Sequence, residues 1–193
     1  MVETGLTLGR VGVVSASEAG LAEIAHLLHR EHVSLSHRIY AGRKGAALLN
    51  GLRTCQDDAE TEIILLLSPS LPPEGTRQLL DQVRHSEKPT VACLLGTDPR
   101  LLWRAGAIPA ARLDEAALRA IAWVRGWDQA LISSQLEDLD EQMETLAQDV
   151  HLHLDPARRR LWGLFTSEIF YREAQTVLAG LAVPPARMTL SLH

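Results

Sequence analysis

Two kinds of apolar run alternate along this chain: short unbroken ones, and longer ones with a period of three to four residues. Val11–Ser15 is of the first kind and predicts a buried strand. Leu21, Ile24, Ala25 and Leu28 then recur at helical spacing and predict a helix over Glu18–Glu31. A second strand falls at Ser34–Tyr40, and a helix follows to Cys55. Glu62–Ser68 centres on Ile-Ile-Leu-Leu-Leu, a run suited to burial on both faces of a parallel sheet. Pro69, Pro72 and Pro73 break the chain before a helix to Glu87, and Thr90–Leu95 is the fourth strand. A short helix to Gly106, a brief strand at Ile108–Ala111 and a helix capped by Asp114 and running to Trp127 complete the series.

Strands alternating with helices in this way predict right-handed βαβ units. The natural closure is a flavodoxin-like α/β fold: a parallel five-strand sheet in the order 2-1-3-4-5 with helices on both faces. Ligands are expected at the carboxyl ends of its first and third strands. This domain occupies residues 1–127.

Beyond Asp128 the pattern changes. Ile132, Leu136, Leu139, Met143, Leu146 and Val150 step by four and three, which is a narrow heptad seam on one long helix. Glu137, Asp138, Asp140, Glu141, Glu144 and Asp149 make its other faces acidic. Packing within the chain is the expected use of the seam, with a partner helix as the alternative. Residues 128–155 therefore form an acidic amphipathic helix and linker. Residues 156–193 hold a strand at Leu161–Phe165, a helix from Thr166 to Leu181 and a proline-containing tail, an incomplete strand–helix unit.

Bulk properties narrow the function classes. The 193 residues carry a net charge of −5, so neither nucleic acid nor an anionic membrane is an expected partner. No apolar run is long enough for a bilayer span and no signal peptide opens the chain, which points to the cytoplasm. Cys55 and Cys93 give no disulfide framework. His26, His29 and His32 step by three along the first helix, but no carboxylate or cysteine has matching spacing, so no metal is expected. His151 and His153 flank a helix end and are read the same way.

The candidate chemistry lies at two strand-to-helix turns. Ser15, Ser17 and Glu18 follow the first strand, and Thr166, Ser167 and Glu168 follow the strand at Leu161–Phe165. Helix N-termini there would favour an anion. Ser15 and Glu18 also have the spacing of a capping box. Arg43, Lys44 and Arg104 are the basic residues placed to contact an anion.

Several segments resemble a known family. Val11–Ile24, Asp57–Leu67 and Lys88–Gly96 are similar to the second domain of succinyl-CoA synthetase α-subunits. Leu95-Gly96-Thr97-Asp98-Pro99, Ala105-Gly106-Ala107, Leu113–Ala117 and Arg160–Ser167 resemble the FdrA branch of that superfamily. The resemblance covers residues 10–127 and 158–180. It implies an acyl-CoA-synthetase-like subunit, with CoA or phosphate as ligand and a homo-oligomer or partner subunit as its setting. The ligase family's phosphohistidine is missing, with Arg104 standing where it would align, and no catalytic residue can be carried over. In each cradle loop a family glycine is replaced by Glu18 or Glu168. A carboxylate fixed there would repel a second anion by about one to four kcal/mol at close range. The two sites are therefore expected to be vestigial, leaving an accessory subunit that needs no cofactor. The alternative is an acyl-CoA ligase or oxamate carbamoyltransferase subunit completed by a partner chain.

Overall fold

The aliphatic run Ile63–Leu67 is the middle of the protein, fully buried on both sides. The computed structural model describes residues 10–42, 45–69, 71–153, 155, 160–180 and 188–193. Its elements are β1 (Val11–Ser15), α1 (Glu18–Arg30), β2 (Leu35–Tyr40), α2 (Gly45–Asp57), β3 (Ile63–Ser68), α3 (Pro73–Arg84) and β4 (Thr90–Leu94). They continue with α4 (Pro99–Arg104), β5 (Ile108–Pro109), α5 (Leu113–Arg125), α6 (Gln129–His153), β6 (Leu161–Phe165), α7 (Glu168–Gly180) and β7 (Met188–Leu192).

The first five strands form one parallel sheet in the order β2-β1-β3-β4-β5, the flavodoxin-like arrangement. β3 has no polar side because each face carries a helical layer. Leu65 packs with Val11 and Val13 against Leu21 and Ile24 of α1 and Ala120 of α5. Ile64 and Leu66 pack with Val14 against Leu48 and Leu52 of α2 and Leu79 of α3. Each such side chain stabilises the fold by about 1.5–3 kcal/mol on burial, against about 0–1 for a surface ion pair such as Arg77–Glu74. The two apolar layers hold this domain together.

Three features depart from the sequence expectations. Asp114 does not cap α5, because the N-cap position falls two residues earlier, at Arg112. The free N–H of Leu113 is taken by Glu173 Oε1 of α7 at 2.6 Å. Among the described residues the seam of α6 packs within the chain only at its start: Ile132 is buried and Asp140 reaches Arg112 Nη1 at 3.0 Å, but Leu139, Met143, Leu146 and Val150 are exposed. The helix outruns the body that its first turns rest on. The tail, expected to carry no element, forms β7, which pairs in parallel with β6 from Leu161↔Met188 to Phe165↔Leu192. Alternating Met188, Leu190 and Leu192 give it the half-apolar pattern of a strand.

Candidate functional site

At the end of β1, the Ser15 hydroxyl is fully buried and spoken for. It donates to Ser17 O at 2.7 Å and accepts from Ser17 N at 3.0 Å. Ser15 and Glu18 therefore form no capping box. Ser17 is the N-cap of α1, and its Oγ accepts from Gly20 N at 3.2 Å. Glu18 occupies the first helical position with its side chain exposed.

The second turn has the same plan. Ser167 O accepts the first helical bond, from Tyr171 N at 3.1 Å. Glu168 opens α7, with Arg172 Nε 3.8 Å from its Oε1. Ile169, completely buried, seats α7 against α1.

That seating brings both turns into one cleft of about 510 Å³, lined by Ser17, Glu18, Thr166, Ser167, Glu168 and Tyr40 among others. Ser15 lies beneath it rather than in it. Arg43 and Lys44 lie outside the described residues. Arg104 ends α4 as an exposed side chain and takes no part in the cleft. The described lining residues include no cation; the two helix N-termini face the carboxylates of Glu18 and of Glu168, the latter paired with Arg172 of its own helix. Serine hydroxyls and exposed backbone could hold a neutral polar group.

Tyr40 and Pro69 were not foreseen as lining residues. The signal was available, since both follow from the carboxyl edge of a parallel sheet in this order.

Other groupings offer less chemistry. A larger cavity of about 980 Å³ lies by the ends of β4 and β5, but its walls are mainly aliphatic and its Glu115–Arg119 pair is closed at 2.7 Å. Ser36, Thr61, Asp58 and His37 cluster at the opposite edge of the sheet. There the Thr61 hydroxyl donates to Asp58 Oδ2 at 2.6 Å and holds that carboxyl below the usual range. Asp58 stands between the hydroxyls and His37, so the base beside Thr61 is a carboxylate of lowered proton affinity and the imidazole reaches neither hydroxyl. Burial pushes the Cys55 thiol up to about 12 and raises that of Cys93 as well, which removes both as nucleophiles at neutral pH. Among the described residues no group of three or more His, Cys, Asp or Glu is placed to hold a metal, and no helix is long and apolar enough to cross a membrane.

No family model matches the chain. It is 29% identical over 164 residues to the uncharacterized protein YahF of Escherichia coli (strain K12), across 81% of this chain and 31% of YahF. The chain thus spans about a third of that relative's length. Among solved structures it is similar to PH0766 from Pyrococcus horikoshii OT3, with a TM-score of 0.48 and 21% identity over 59% of this chain and 28% of that one.

Proposed function

We propose that this chain is an FdrA-like, succinyl-CoA-synthetase-α-related domain that serves as a subunit or accessory of a larger acyl-CoA-synthetase or carbamoyltransferase-type assembly. Its own phosphate cradles are closed. The observation that carries this reading is the cleft itself, where two helix N-termini from two sheets converge and each bears a glutamate at its first position. The convergence also favours a second reading, an active acyl-CoA ligase or oxamate carbamoyltransferase subunit whose missing parts come from a partner chain.

Inorganic phosphate and acetyl phosphate are the probes. Neither should raise the melting temperature of the wild-type chain, whereas Glu18→Gly with Glu168→Gly should bind phosphate at least tenfold more tightly. Protection of the wild type by either probe, unchanged in the double variant, would falsify the closed-cradle reading. Carbamoyl or acyl transfer that needs an added partner chain would select the second.

A further inference from the structure

Residues 161–168 repeat residues 11–18 position for position at an offset of 150. Each unit has a five-residue strand, a two-residue turn ending in serine, and a 13-residue helix opened by glutamate; a parallel return strand follows. In the first unit α1 covers the Val11 and Val13 face, while α2 covers Val14 on the other. β3 takes the remaining edge of β1. In the second unit Phe165 meets Tyr171 of α7, with ring centroids 5.9 Å apart, so α7 covers the equivalent first face. Strand alternation puts Trp162 and Leu164 on the other face. They are 73% and 70% exposed, and among the described residues no helix lies over them.

The same chain carries a helix without a surface to lie on. Met143 and Leu146 of α6 are 56% and 54% exposed, in line with Leu139 and Val150. Residues 141–153 extend about 20 Å at 1.5 Å per residue. On that face β7 sets Thr189 and Ser191 beside Trp162 and Leu164, so the apolar strip is β6, about 17 Å long at 3.3 Å per residue, and the lengths match. The charges match as well. Between Gln129 and His153 the helix has acidic residues and neither Lys nor Arg, whereas the exposed Arg160 stands at the head of β6.

We infer that the chain forms a two-fold dimer in which α6 of each copy lies across the β6–β7 face of the other, supplying the helical layer that this half-sheet lacks. A second copy is the occupant because it brings both surfaces at once: two-fold symmetry covers each helix and each sheet face in one closed assembly. The pairing requires neither Glu18 nor Glu168, so it stands apart from the phosphate reading.

The test is light scattering coupled to size exclusion on the full chain, across a dilution series. Wild type should be dimeric. Trp162→Glu and Met143→Glu/Leu146→Glu, all at exposed positions, should each weaken dimerisation at least tenfold while circular dichroism stays native. Mixed together, the two variants should recover a 1:1 heterodimer, since one helix-on-sheet contact of the pair is intact. A wild-type monomer overturns the inference. So does a Trp162→Glu chain that stays dimeric, which means pairing by helices alone, or a Met143→Glu/Leu146→Glu chain that stays dimeric, which means pairing by sheet edges. Two monomeric variants that do not recover on mixing overturn it too.

Discussion

Ile169 of α7 fills the space that a side chain at Gly20 of α1 would need: a Cβ on Gly20 would lie 2.7 Å from Ile169 Cδ1. That approach fixes the second strand–helix unit against the first and places both turns in one cleft. Alanine is the better helix former by about 1 kcal/mol, yet overpacking a buried contact costs about 1–3 kcal/mol. Gly20→Ala should therefore be destabilising in urea melts. Ile169→Val removes the colliding methyl and alone should cost about 0.5–1.5 kcal/mol. The double variant should be more stable than the sum predicts, by about 0.5–3 kcal/mol of coupling. Strict additivity would mean that the two helices do not touch there.

Glu173 makes the other tie between the units, and it should give stability a recognisable pH dependence. Burial raises its carboxyl above the ordinary 4.5, against the lowering effect of the bond from Leu113 N–H. A carboxyl raised in the native state holds its proton longer there than in the unfolded chain. Its favourable contribution is complete below pH 4.5 and is lost as pH rises through the native value. Glu173→Gln keeps an acceptor for Leu113 N–H and has no proton to lose. Denaturant melts across this window should show wild type losing stability relative to Glu173→Gln as pH climbs. A constant difference between the two would contradict the assignment.

The thiols offer a simpler check. With Cys55 raised to about 12 and Cys93 also raised by burial, neither supplies thiolate at pH 8. Ellman's reagent should label neither in the folded protein and both in denaturant. Fast labelling of Cys55 without unfolding would show that α2 opens where the core is described as closed.

How much of this was legible beforehand follows from the range of each interaction. The first sheet was readable because β1, β3 and β4 are apolar runs whose burial does not depend on distant detail, and their order follows from right-handed crossovers. Glu18 and Glu168 could be placed at helix starts for the same local reason. What could not be read is what depends on docking. The cap on Leu113 comes from 60 residues away, and an Asp at position 114 was the better local candidate. The α6 seam has the pattern of a packed helix, and no pattern says whether the body beneath extends far enough. β7 follows two prolines and the dipeptide Ala186-Arg187, and it becomes a strand because β6 offers an edge to pair with.

Ser15 and Ser17 look interchangeable in sequence and should behave differently. The Ser15 hydroxyl bridges the N–H and C=O of Ser17 in a fully buried position, so Ser15→Ala leaves two backbone groups without that partner. Ser17 O keeps the bond from Leu21 N, so the stranded group is the Ser17 N–H, at about 1–3 kcal/mol. Ser17→Ala loses only the cap on Gly20 N, worth about 1 kcal/mol, and water can take its place at the mouth of the cleft. Urea melts should rank Ser15→Ala below Ser17→Ala, which in turn lies below wild type, with no change in response to phosphate for either. If Ser17→Ala is the more damaging of the two, the brace under the turn is not what holds α1 in its place, and the path from β1 into the cleft must be fixed from the α7 side instead.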